Sequence, residues 1–193
     1  MGHWMGRGWL AAMLWLAFVA GTAHANEALE PQVAEIERLS LSEHWRESSA
    51  RIEALLAQDA ALSREQRQRL EYVRLRNLGI AGEMREALDG FSRLLHEDMP
   101  SGLKVNAFAT AASIAANLED WPAAFAWLDQ SLAQLPQSPD RAARVLGVAS
   151  YLHSLLGETG KAREFALRAL AMVEDGDDQR AICFAVSDVA LAE

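Results

Sequence analysis

Beyond residue 25 the apolar positions of the chain recur at helical spacing. Leu29, Val33, Ile36 and Leu39 share a face, as do Trp45, Ile52, Leu55 and Leu56. Leu70, Val73 and Leu78 follow, and later Val145, Val148, Ala149 and Leu152. No stretch alternates long enough to predict a strand. Ser63-x-x-Gln66 forms a capping box, whose hydroxyl accepts an orphan backbone N–H at a helix start. Asp140 stands where it could cap the helix after Pro139. Breaks are expected at Gly79 to Gly82, Met99 to Gly102, Pro136 to Pro139 and Asp175 to Asp178. The pattern predicts an all-α protein.

The predicted helices repeat. Trp45-Arg-Glu-Ser48, Met84-Arg-Glu-Ala87, Trp121-Pro-Ala-Ala124 and Thr159-Gly-Lys-Ala162 each open one, with a small residue in fourth place. Four positions later stand Ile52, Phe91, Leu128 and Ala166, and four further on Leu56, Leu95, Leu132 and Leu170. A near-constant step of about 38 residues with matching chemistry predicts a right-handed solenoid of stacked antiparallel helical hairpins. The small residue lets two helix axes approach, and the large one a turn later fills the adjacent groove. Because one hairpin cannot cover its own apolar face, neighbours stack to complete the core.

Residues 1–25 are expected to stand outside that fold. Arg7 supplies a positive start, Trp9 to Ala20 an apolar stretch, and Ala23-His24-Ala25 a small-x-small end. That order predicts a secretory signal peptide over 1–25, cleaved after Ala25. The stretch is short against the roughly 20 residues of a membrane span, although an uncleaved amino-terminal anchor is the alternative. The helical-repeat domain then covers 26–193, outside the cytoplasm and most simply in a bacterial periplasm. At the other end, Glu174 to Asp178 reads as a turn before a helix from Gln179, with Ile182, Ala185, Val186 and Val189 along one side. This would be the first helix of a fifth unit without its partner. The expectation is a fragment of a longer protein; otherwise residues 179–193 contact a partner domain or a second copy.

Composition narrows the function. Hydrophobic residues make up 51%, ample for a core, and 27 acids against 18 bases give a formal charge of −9. An acidic balance argues against nucleic acid, which needs a basic face to neutralise phosphates. One cysteine leaves no intrachain disulfide framework. His44, His96 and His153 lie too far apart to offer paired metal ligands, and His153 is expected to pack between helices. Cys183 reads as a buried thiol, and Asp175-Gly176-Asp177-Asp178 as a solvated turn without the distal Glu of an EF-hand. The pairs Glu35/Glu37 and Asp177/Asp178 read as solvated faces. No glycine-rich phosphate loop or nucleophile elbow can be assembled. The expectation is a protein that is not an enzyme, with no cofactor and no metal.

The repeats resemble the tetratricopeptide repeat. Gly82-Glu83-Met84, Ala87 and Phe91 match its small-to-large series most closely. Asp120-Trp121, Ala124, Leu128 and Pro136 match in the next unit, then Gly157-Glu158, Ala162 and Ala169. The likeness covers roughly residues 43 to 193. It departs in its step, against about 34 in the family, in first helices that lack the usual Trp and Gly, and in Ser48 where Ala is expected. The basic clamp with which some family members grip an acidic carboxyl terminus is not reproduced, since lysine occurs only at Lys104 and Lys161. A leader followed by stretched repeats is also similar to the periplasmic sensor region of membrane-bound GGDEF-type diguanylate cyclases, without any of the cyclase signature.

In such a solenoid the first helix of each unit lines a concave groove where a peptide can lie. The polar residues interrupting those helices are the candidate binding residues: Arg69, Tyr72 and Arg76, then Asn106, Ser113 and Asn117, then Arg144 and Tyr151. Arginine and asparagine suit a peptide's carboxylates and backbone amides, and tyrosine adds a flat apolar contact. The plainer reading of each is an ordinary solvated position. Trp121 and Trp127 are expected to pack inside. The functional expectation is an exported interaction or sensory input module; the alternative is a freestanding scaffold for envelope protein assembly.

Overall fold

In a computed structural model, residues 28–42, 44–57 and 62–173 are described. The expected leader over 1–25, Cys183, the acidic stretch 175–178 and the sequence from 179 onward lie outside the described residues. Within them all regular structure is helical: α1 over 28–41, α2 Trp45–Ala57, α3 Arg64–Ala81, α4 Met84–Leu94, α5 Ser101–Asn117, α6 Trp121–Gln134, α7 Ala142–Leu155 and α8 Thr159–Val173. Two 3₁₀ turns, Leu135–Gln137 and Pro139–Arg141, separate α6 from α7.

The four repeated tetrapeptides do open helices, since α2, α4, α6 and α8 begin at Trp45, Met84, Trp121 and Thr159. The capping box forms in both directions: Gln66 N–H donates to Ser63 Oγ at 3.1 Å, and Ser63 N–H to Gln66 Oε1 at 2.9 Å. Asp140 is a correction. Pro139 starts the tight turn just before it, so Asp140 lies within the 3₁₀ segment and takes Arg141 Nε at 2.9 Å. α7 starts at Ala142 without a side-chain cap. The break expected over Gly79 to Gly82 falls at its far end, at Gly82, because α3 continues to Ala81. Gly79 instead serves packing: a Cβ there would lie 2.8 Å from Ile114 Cδ1 on α5.

One turn design is used three times. Gly82, Glu119 and Gly157 carry positive φ angles of 95°, 60° and 72°. They recur at the same near-constant step as the helix openings. In each case the next N–H reaches back into the preceding helix: Glu83 to Leu78, Asp120 to Ala115 and Glu158 to His153, at 2.9–3.0 Å. This is the Schellman ending, in which a left-handed residue allows the last carbonyls of a helix to be satisfied. It joins α3 to α4, α5 to α6 and α7 to α8 by very short links. Such links make each pair antiparallel.

The chain divides into two compact bodies, 1–74 and 75–193. The core of the first contains Val33, Ile36, Ile52, Leu55, Leu70 and Val73. In the second, α5 packs along α6 and α7, and α7 along α8. Its main core gathers Val105, Ala109, Ala112, Ala124, Leu128, Val145, Ala149 and Leu152.

The small residue of each repeat, Ser48, Ala87, Ala124 and Ala162, is fully buried. Ser48 replaces alanine without loss, because its hydroxyl donates to Ile36 O at 3.0 Å. A bond of the same span joins α7 to α8, with the donor now on the first helix of the hairpin: Ser150 Oγ to Ala162 O, 2.9 Å. The recurring leucines lie at the margin of the core, with Leu132 and Leu170 half-buried against it. Leu56 is 37% exposed, and the buried position lies just before it: Leu55, Leu94, Ser131 and Ala169. Seven steps complete nearly two helical turns and return to within about 20° of the small residue, whereas eight swing about 80° away.

Candidate functional site

Asn106, Thr110, Ser113 and Asn117 on α5 are spaced by four, three and four positions, which sets them along one helical face. Arg144 and Tyr151 on α7, seven apart, face the same row. The two sets meet: Arg144 Nη2 donates to Thr110 Oγ1 at 3.0 Å, and the Tyr151 hydroxyl to Asn117 Oδ1 at 2.8 Å. Five of the predicted binding residues, Asn106, Ser113, Asn117, Arg144 and Tyr151, therefore come together on two adjacent helices.

Several of these groups are engaged within the seam. Ser113 Oγ donates to Ala109 O at 3.2 Å and Asn117 Nδ2 to Ser113 O at 2.9 Å, each bond running back along α5. Asn106 differs: its Oδ1 is buried and has no hydrogen-bond partner among the described residues. A buried acceptor left without a donor costs about 1–3 kcal/mol. Neither α5 nor α7 contains an Asp or Glu, although the chain as a whole carries −9. Lys104 and Arg144 are their full charges, and Arg144 is exposed.

Arg69 and Tyr72 belong to the first body, where Arg69 acts as a clamp on α1. Its Nε and Nη2 hold Glu37 at 2.8 and 2.6 Å, and Nη1 donates to Glu30. The hydrogen bond from Arg69 holds the Glu30 carboxyl below its usual range, helped by Gln66 and opposed by partial burial. The Glu37 bonds in turn raise the already high basicity of Arg69. Glu37 is thus part of an ion cluster and not a solvated face, while Glu35 is half-buried and paired with exposed Arg38 at 2.7 Å. Tyr72 packs against the first core. Arg76, in the second body, is half-buried on α3.

His153 packs between helices as expected. Its ring stacks on Phe165 of α8 with centroids 5.4 Å apart and lies 5.3 Å from Phe125 of α6. Nδ1 is bonded to Glu158, and this bond, with that of Lys161, holds the Glu158 carboxyl below its usual range. Trp121 and Trp127 pack against the second core. Among the described residues no cluster of His, Cys, Asp or Glu could hold a metal ion, and no helix is long and apolar enough to cross a membrane.

Reading the sequence misses Thr110, Glu30 and Glu37. Thr110 is legible in principle, because it lies on the same helical face as Asn106, Ser113 and Asn117. The two glutamates, seven apart on α1, give a weaker signal, since nothing local tells that Arg69 stands opposite. Comparison with models of known families finds no match, and none is found among curated proteins.

Proposed function

We propose that residues 26–193 form a tetratricopeptide-like right-handed solenoid, exported to the periplasm after cleavage of a 1–25 leader. There it would bind a protein or peptide partner and serve as an interaction or sensory input module, as in the sensor region of diguanylate cyclases. The fold reading draws support from the turns at Gly82, Glu119 and Gly157, which share one geometry at almost one step. It also draws on the recurring buried small residues, and on the packing of α5 against both α6 and α7.

The observation that carries the binding reading is the row on α5 and α7. It is free of carboxylates, carries the exposed Arg144, and includes an amide oxygen with no donor among the described residues. A peptide supplies the complement, with carboxylates for the exposed guanidinium and backbone groups for the seam's hydroxyls and amides. The mechanism is non-covalent. A bound segment that bridges α5 and α7 favours one spacing of the two helices, and that preference passes along the stack.

Selection of a phage-displayed random peptide library on the full chain tests the binding reading. Enriched peptides should bind the wild-type chain and lose about tenfold or more in affinity to an Asn106→Leu/Arg144→Ala variant, about 1.4 kcal/mol or more. Equal binding by that variant, with helicity retained, would overturn the assignment. The sensory reading is tested by the coding sequence after residue 193. A membrane span and a cyclase signature support it; an immediate stop codon removes it.

A further inference from the structure

The three Schellman turns leave a second row at the carboxyl ends of α3, α5 and α7. Ile80, Leu155 and Leu156 are 49%, 47% and 41% exposed, and Leu118 between them is half-buried. The ends are neighbours: Gly79 lies against Ile114, and Tyr151 is bonded to Asn117. Scattered exposed leucines are ordinary on a protein surface. Ile80 and Leu155 stand two positions before the left-handed residue, where α5 has Asn117, and Leu118 and Leu156 stand one position before it, where α3 has Ala81.

Carboxylates are interleaved with them. Glu83, Glu119, Asp120 and Glu158 are exposed within the same turns, and Glu86 follows in the first turn of α4. Glu86 is engaged within the structure, Lys161 is bonded to Glu158 at 3.1 Å, and Arg85 stands beside them. Asp120 also accepts from Ala123 N–H at 3.2 Å, which fixes its carboxylate at the start of α6. Glu83 and Glu119 enter no ion pair among the described residues. The edge therefore carries an aliphatic side chain at each of the three helix ends, with carboxylates in the turns beside them.

We propose that this edge docks a basic amphipathic helix of a protein partner, separately from any ligand on the α5/α7 row. Packed helices lie about 8–10 Å apart, so Ile80, Leu118 and the Leu155–Leu156 pair mark stations over about 20 Å. A partner helix rises about 10.5 Å in seven residues. Aliphatic side chains at i, i+7 and i+14 meet the three stations, and lysines or arginines between them meet the carboxylates. The negative charge favours a cationic partner and repels an anionic lipid surface.

The test uses the full chain and a labelled 18-residue helical peptide of leucine and lysine, followed by fluorescence anisotropy. A counterpart with every lysine replaced by glutamate serves as control. The lysine peptide is expected to bind and the glutamate peptide to fail, with binding weakening as salt rises. Ile80→Ser/Leu155→Ser/Leu156→Ser and Glu83→Lys/Glu119→Lys should each lower the affinity about tenfold or more. Circular dichroism establishes that both variants keep their helicity, as substitution at exposed positions allows. The Asn106→Leu/Arg144→Ala variant should bind the peptide as the wild type does. Equal binding of the two peptides, or unchanged binding by either folded edge variant, would overturn the proposal. So would binding of phosphatidylglycerol vesicles that is lost in the triple serine variant, since the edge would then be a membrane contact.

Discussion

In the first body α3 is fastened to α1 by charge, and in the second α7 is fastened to α5 by hydroxyls and an amide. Arg69 holds two glutamates from positions 20% exposed on its own side and 31–47% on theirs, so water still reaches the cluster. Thr110, which accepts from Arg144, is only 8% exposed. A carboxylate in that place would be stripped of most of its hydration, and one hydrogen-bonded guanidinium would not fully offset the loss. The comparison teaches that the partners set opposite each arginine fix the chemistry of its seam. Arg69 meets two carboxylates, whereas Arg144 meets a hydroxyl and its neighbour Tyr151 meets an amide. The second seam is also the one that keeps an arginine exposed, which is why the binding reading rests on the second body.

The comparison can be broken or sharpened by substitution. Ile52→Ala and Phe91→Ala, at equivalent repeat positions in the two bodies, should each cost about 2–5 kcal/mol in urea unfolding of the full chain, the phenylalanine more. Similar slopes and losses would show that the apolar repeat is common to both bodies. Arg69→Met removes the hub of the ionic seam and leaves Glu30 and Glu37 facing each other, an expected loss of about 1–3 kcal/mol. That loss should shrink as salt rises. Tyr151→Phe deletes one neutral bond and should cost about 0.5–1.5 kcal/mol, independent of salt. A salt-dependent loss there would contradict the neutral reading.

Acid separates the seams further. Glu30 titrates below its ordinary range in the folded chain. Its contribution is present above the unfolded value and is lost as pH falls through the lowered folded value. Stability measured downward through pH 4 should therefore fall less in Arg69→Met than in wild type. Tyr151→Phe should follow the wild-type curve. The smallest effect is expected at Glu119, the one non-glycine residue at positive φ among the described residues. Glu119→Gly relieves the left-handed strain and should stabilise the chain by up to about 1 kcal/mol. Glycine already stands at the matching positions Gly82 and Gly157, so those turns set the reference.

Much of the local structure is legible in the sequence. The openings of α2, α4, α6 and α8, the Ser63/Gln66 box and the near-constant repeat step follow from side chains within a few positions of one another. Errors arise one level up. Leu55 rather than Leu56 enters the core, because a rotation of about 100° per residue decides which of two adjacent leucines points inward. Asp140 has the residue type of a cap, but the proline-led turn before α7 is longer than its spacing suggests.

The amino-acid order alone determined that this chain is helical, where its hairpins turn and how often they recur, since spacing, capping and left-handed turns act over one or two helical turns. Which polar side chains became clamps, seams or open contacts was decided only when helices distant in sequence came together. Arg69 met glutamates and Arg144 met a threonine, and no local rule distinguishes the two arginines. Their roles depend on which side chains the neighbouring helix sets opposite them.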